Sequence, residues 1–186
     1  MNKDELLVEL NIRISDTDNF TFTPEEKAAA IRRAINDDYT VGQVYDDSLT
    51  YSTSTYSYAV PTGVTVVTDI LYSPDNGTSR PITIDANLWT INDGNIQVSN
   101  GIPDGYTMYV KGNYRYTEDD TINDTTVQEY VLANATLILY STLLAKRNFR
   151  FLKNDTSVAE IVTSKNAIER EVQRYRQMLP KAYQAG

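Results

Sequence analysis

Four groups of residues have the types and spacing to do chemistry. In "SDTDNF", Asp16, Asp18 and Asn19 place oxygen ligands in one short loop, as a calcium loop does. The pattern stops at Thr21, where such a loop needs glycine, and at Lys27, where it needs a bidentate glutamate. Capping and turn formation is therefore the expected role. Glu118, Asp119, Asp120 and Asp124 form the densest acidic cluster, which could hold a hard cation or serve acid–base catalysis. Consecutive loop carboxylates point in different directions, and Asp residues ahead of a helix complement its dipole. Glycoside hydrolysis needs two carboxylates at a set separation, which loop spacing does not fix.

The third group is "KRNFRFLK", which interleaves Lys146, Arg147, Arg150 and Lys153 with Phe149 and Phe151. Such a pattern can grip a nucleic-acid strand by phosphate contact and stacking. It also fits cations at a helix C-terminus, where the dipole favours them. A net charge of −8 and a pI near 4.5 weigh against nucleic acid, which requires a basic footprint. The fourth group is the tyrosines, 14 against 4 phenylalanines and 1 tryptophan. Tyrosine joins a flat apolar ring to a hydroxyl that can stay wet, so it suits interfaces, sugar platforms and half-exposed strands.

Whole classes of chemistry are excluded by what is missing. The chain has no cysteine and no histidine, which removes thiol nucleophiles, thiolate metal sites, disulfides and every His-based triad. Glycine-rich phosphate loops are absent, and no catalytic, cofactor or metal residue is assigned. The Asn-x-Ser/Thr matches at Asn19, Asn76, Asn123, Asn134 and Asn154 are expected by chance in an Asn- and Thr-rich chain. The opening "MNKDELLVEL" reads as a helix rather than a secretion signal. The longest uncharged run, Val131 to Ala145, is too short and polar to span a bilayer. A soluble protein is expected.

The elements that would position these groups fall into three blocks. "KDELLVELNIRIS" repeats apolar residues at Leu6, Leu7, Leu10 and Ile14, one helical face. A second helix starts at a capping box of Thr23, Pro24 and Glu26 and is expected to reach about Tyr39. The composition then turns to Tyr, Thr, Val, Ser and Gly, which predicts strands near 54–60, 64–72, 81–84, 87–92, 95–99 and 106–116. "PDNG" (Pro74 to Gly77) and "NDGN" (Asn92 to Asn95) read as hairpin turns, and Gly112-Asn113 as a turn or a bulge. Helix returns from about Val127 to Phe149, apolar on nearly all sides, and from about Ser157 to Leu179, capped by Asp155 or Thr156. The last helix carries Val158, Ile161, Ile168, Val172, Tyr175 and Leu179 on one seam, interrupted by Lys165. Such an all-apolar helix must sit at the centre of a bundle or be buried by another subunit. The expected fold is α+β: a helical bundle from 1–44 plus 118–186, with a small antiparallel β-sheet or sandwich domain inserted at 45–117.

The strand "YSYAVPTGVTVVTDILY", the hairpin "LWTINDGNIQV", the strand "GYTMYVKGNYRYT", a short acidic link and a long apolar helix together resemble the head-to-tail adaptor (connector) proteins of tailed bacteriophages. The resemblance implies a structural, non-enzymatic virion protein without a cofactor. Such adaptors form rings, commonly of twelve copies, that dock beneath the portal and present a surface to the next neck or tail protein. Location at the virion neck, after synthesis in the host cytoplasm, and passage of DNA without specific binding follow from the same resemblance. No membrane is implied. Candidate portal or inter-subunit contacts are Leu137, Leu144, Arg147, Phe149, Arg150, Phe151, Tyr175, Met178, Leu179 and Tyr183, with the tail "MLPKAYQAG" as a portal-contacting element. Candidate contacts of the β-domain are Tyr56, Tyr58, Tyr72 and Trp89.

Charge agrees with an assembling protein. Acidic residues outnumber basic ones before Val127 and the balance reverses after it, which fits two surfaces that meet like copies head to tail or different partners, and equally two solvated faces. Two other classes stay open: a glycan- or peptide-binding module built on the tyrosine-rich sheet, and a metal-dependent enzyme built on the 118–124 loop.

Overall fold

The computed structural model describes residues 1–73, 80–99, 102–146 and 158–181. The chain is mixed α+β. Its elements are α1 (Lys3–Arg13), α2 (Pro24–Ile35), β1 (Val41–Thr50), β2 (Ser57–Ala59), β3 (Val64–Tyr72), β4 (Ile82–Thr83), a 3-10 turn (Ala86–Leu88), β5 (Trp89–Asn92), β6 (Asn95–Val98), β7 (Thr107–Arg115), α3 (Thr125–Lys146) and α4 (Val158–Met178). They divide into two compact units: Met1–Gly42 with Tyr116–Lys181, and Gln43–Arg115.

In the helical unit each start has a local cause. Asn2 caps α1, and Thr23 with Glu26 closes the expected capping box on α2 behind Pro24. Asp124 accepts hydrogen bonds from the backbone N–H groups of Thr126 and Val127, so α3 opens two residues before Val127. Helix α2 stops at Ile35, short of Tyr39, because its next turn goes to other partners. The hydroxyl of Thr40 donates to the Ala34 carbonyl at 2.7 Å, and the N–H of Tyr39 to the Asp37 carboxylate at 3.1 Å.

Helix α3 packs against α1, α2 and α4. Val127, Val131, Leu132, Ala135, Leu139 and Leu143 are buried with Leu6, Leu10, Ile31, Ile35 and Ile161, while Tyr130 and Ala133 are buried with Val172. Each fully buried aliphatic side chain contributes about 1.5–3 kcal/mol. Its apolar surface is thus covered largely by the chain's own helices.

The second unit holds two sheets, one ordered β1-β7-β3-β4 and one ordered β2-β6-β5. The pairs β2–β6, β3–β4, β3–β7 and β5–β6 are antiparallel. Strand β1 lies before the first expected strand. Its sequence "VGQVYDDSLT" contains a glycine and adjacent aspartates, which hide the alternation that marks a strand. Only Ser57–Ala59 of the expected 54–60 strand pairs. The β5–β6 turn is the expected hairpin, with Asp93 and Gly94 at φ 48° and 73°, as a type I′ turn requires. The "PDNG" turn lies outside the described residues.

Strict alternation places Val67 on the opposite face of β3 from Ile70 and Tyr72, yet all three pack into one core with Met108 and Val110. The reason is the register shift against β7 between Val67 and Asp69, which reverses the phase of the strand between Val67 and Ile70. Gly112 sits opposite this irregularity as a bulge partner within β7. A Cβ there would lie 2.3 Å from the carbonyl oxygen of Val66. Gly112→Ala is expected to cost about 1–3 kcal/mol by forcing the strands apart, read as a lowered urea midpoint with an unchanged slope.

Candidate interaction surfaces

The Asp16 loop is built around a cation supplied by the chain. The Lys27 ammonium, 1% exposed, lies 2.9 Å from the Asp16 carboxylate. It donates to the Asn11 and Asn19 side-chain oxygens at 2.7 and 2.9 Å and to the Asp16 carbonyl. The remaining capacity of the Asp16 carboxylate is taken by the N–H groups of Thr21 and Phe22, at 2.9 and 3.0 Å. Burial alone would raise the Asp16 carboxyl, but the Thr21 N–H, Lys27 and the Phe22 N–H outweigh it and hold it below the ordinary range. The sequence presents Lys27 only as the residue that spoils a calcium loop; here it is the ion the loop encloses.

Three of the four carboxylates of the 118–124 segment are spent on structure. Glu118 bridges Lys3 at 2.6 Å and Arg32 at 2.7 Å, and the hydrogen bond from Lys3, reinforced by Arg32, holds it below the usual carboxylate range. Asp120 accepts from the N–H and hydroxyl of Thr117, and Asp124 caps α3. Among the described residues no group of three or more acidic side chains could hold a metal ion.

A third polar centre joins the α2–β1 link to α3 and α4. The Tyr130 hydroxyl donates to Asp37 at 2.5 Å and accepts from the Arg176 Nε at 3.2 Å. Arg176 also reaches Asp37 at 3.3 Å, and Asn134 donates to the same carboxylate at 3.4 Å. Tyr39 packs on Tyr130 with ring centroids 6.1 Å apart, and the Arg176 guanidinium lies 5.2 Å from the Tyr39 ring centroid. Burial, helped by the bond to Asp37, pushes the Tyr130 phenol far above its ordinary value, against the opposing pull of Arg176. A phenol held protonated, a carboxylate and a guanidinium already paired to each other form a clamp rather than a nucleophile. The available sequence signal was Tyr130, a polar-tipped ring in an apolar helix that needs a partner once buried.

The candidate contact residues separate clearly. Leu137 and Tyr175 pack into the Tyr130 cluster, Leu144 into the main core, and Leu179 into both. Their apolar surface is partly spent within the helical unit, because α3 and α4 meet along this seam. Met178 is 59% exposed. Arg147, Phe149, Arg150, Phe151 and Tyr183 lie outside the described residues, as do most of "KRNFRFLK" and the proposed α4 caps Asp155 and Thr156. Exposed apolar side chains outside the candidate contacts include Val8 and Ile12 on α1 and Val162 on α4, together with Val158, which was expected on the α4 seam but is exposed.

On the β-unit, Tyr58 is buried and its hydroxyl both accepts from the Ser52 N–H and donates to the Ser52 carbonyl. Tyr72 is half-buried against Tyr106. Tyr58 thus serves the core rather than an outer surface, while Tyr72 keeps part of its ring exposed. Tyr56, 69% exposed, and half-buried Trp89 line a cavity of about 320 Å³ with Asn87, Thr90, Gln97, Val98 and Ser99.

No family model matches the chain, and no curated protein matches it in sequence. Among the described residues no helix is long and apolar enough to cross a membrane.

Two substitutions test the polar centres. Lys27→Ala leaves Asp16 buried without its cation and is expected to cost about 3–5 kcal/mol in chemical denaturation. Because the Asp16 pKa is depressed in the folded state, its contribution is complete above the unfolded value near 4. It is lost as pH falls through the lower folded value, so the acid branch of the stability curve should be shallower in Asp16→Asn. Tyr130→Phe deprives Asp37 of a donor and Arg176 of an acceptor and is expected to cost about 1–3 kcal/mol, measured by urea unfolding.

Proposed function

We propose that the protein is a ring-forming structural adaptor at the head-to-tail junction of a tailed-bacteriophage virion, docking beneath the portal and connecting it to the neck or tail. In this reading the helices from both parts of the chain form a bundle that makes the inter-subunit and portal contacts. The β-unit is an inserted assembly domain. No catalysis and no cofactor is assigned, and DNA passes without specific binding because an acidic surface repels phosphate.

The observation that carries the reading is the pair of apolar stripes left on helices whose inner faces are already satisfied. Val8 and Ile12, four residues apart on α1, are 57% and 59% exposed and lie among Glu5 and Glu9. Val158 and Val162, also four apart, are exposed on α4, and the Lys165–Glu169 ion pair follows them along the helix at 3.4 Å. Two different exposed stripes on one chain can make a heterologous contact, and a heterologous contact that closes makes a ring. The order of helices, strands and helices, and the paired state of the acidic side chains described above, support a scaffold rather than an enzyme.

The test is assembly. Mixed with the portal protein of the same virion, the chain is expected to co-migrate with the portal on size exclusion and to give rings by negative-stain microscopy. Ile12→Asp and Val162→Asp are expected to abolish this while changing monomer stability by less than about 0.5 kcal/mol, since both sites are exposed. A chain that stays monomeric beside its portal, or that assembles equally well with both substitutions, removes the reading.

A further inference from the structure

We propose that the acidic outer face of α1 on one copy of this chain packs antiparallel into a groove on the outer face of α4 on a second copy. Val8 and Ile12 are the knobs of this contact, and Glu9 pairs with Arg170. The proposal deepens the adaptor reading, on which it rests for the need of a copy-to-copy contact.

The groove follows from helical rows. Residues four apart form ridges on a helix surface, and a ridge of one helix fits the groove between two ridges of another. On α4 the row that begins at Val158 and Val162 continues through Asn166, Arg170 and Arg174, and the adjacent row is Glu169, Gln173 and Gln177. These last six side chains are exposed and line a shallow depression of about 410 Å³. They bound two holes of four residues each, which share Arg170 and Gln173. On α1 the outer row is Asp4, Val8 and Ile12, all exposed. Two apolar knobs four residues apart thus face two holes four residues apart. The aliphatic stem of arginine covers apolar surface while its charged head stays in water, so the holes suit aliphatic knobs with an acidic flank.

Charge fixes the sense. In right-handed helices seen from outside with each N-terminus down, Glu5 and Glu9 lie to the right of the α1 row, and Arg170 and Arg174 to the right of the α4 groove. Turning one helix to face the other exchanges left and right. A parallel crossing therefore sets Glu5 and Glu9 over Glu169, whereas an antiparallel one sets them over Arg170 and Arg174. Antiparallel, Ile12 enters the hole beside Asn166 and Val8 the hole beside Gln177. Glu9, on the flank between them, meets Arg170. Among the described residues no ion pair engages Glu9 or Arg170, while Glu169 is held by Lys165 at 3.4 Å. Both faces are exposed in the same chain, so only two copies can join them, and because the faces differ the contact is heterologous.

A crossing of two helical turns is weak between free copies, so the test traps it as a disulfide. The chain has no cysteine, and each introduced thiol is the only one in its copy. A tagged Ile12→Cys copy is mixed with an Asn166→Cys copy under mild oxidation. The hetero-linked product is compared with that of Ile12→Cys and Thr90→Cys, an exposed site on the β-unit. The first pair is expected to link at least about tenfold faster than this control. Arg170→Glu in the Asn166→Cys copy is expected to remove that advantage. Adding Glu9→Arg to the Ile12→Cys copy is expected to restore it, because the charges are then reversed rather than opposed. The proposal is overturned if the first pair links no faster than the control, if Arg170→Glu changes nothing, or if Glu9→Arg fails to restore linking. The assay contains no portal, so the two readings fail separately. Preferential linking without rings at the portal removes the adaptor, and rings at the portal without preferential linking remove this contact.

Discussion

Burial of α3 is the constraint on which the helical unit depends. Its residues are apolar on nearly every side, so a single neighbouring helix could cover only a stripe and leave the rest in water. Three helices are needed, and α1, α2 and α4 supply them. This requirement ties the beginning of the chain to its last helix: Leu6, Leu10 and Ile31 meet Val131, Leu139 and Ile161 in one core. Arg13 then crosses from α1 to both Glu129 and Glu171 at 3.1 and 2.7 Å, closing the rim of what the apolar side chains began.

Apolar packing alone would let these helices slide, since one leucine substitutes well for another at a helix contact. The buried polar groups do not allow it. Lys27 is satisfied only where Asn11, Asp16 and Asn19 converge on its ammonium. A shift of α2 by one turn would carry it about 5.4 Å away, leaving a buried carboxylate and a buried ammonium unpaired. Tyr130, Asp37 and Arg176 impose the same condition on α3 and α4. Hydrophobic area fixes that the helices associate, and these two centres fix where.

What could be read from the amino-acid order follows this division. Thr23, Pro24 and Glu26 announce α2 because capping is local, and Asp93-Gly94 announces a hairpin because positive φ is local. Strand β1 escaped notice because its pairing is settled by β7, distant in sequence, and not by its own alternation. The phase of β3 does not follow from its own alternation for a related reason: bulges are a property of two strands together. Among site residues, Tyr56 and Trp89 stood out by type, while Lys27, Asp37 and Arg176 did not. A charged residue normally marks a solvated face, and only its surroundings reveal that it is enclosed.

The same logic separates surfaces that are already spent from those that are left over. Leu137, Leu144, Tyr175 and Leu179 have the composition of contact residues, but α3 and α4 use them partly on each other. Tyr58 looks like Tyr56 in sequence, two residues on, but lies inside β2 while Tyr56 lies just before it. One closes the core through Ser52 and the other stands in solvent. The difference is position along the sheet: Tyr58 lies opposite Ile96, which is fully buried, whereas Tyr56 precedes the first residue of β2 to pair, Ser57. Residue type therefore nominates a surface, and the end of a register decides whether it remains one.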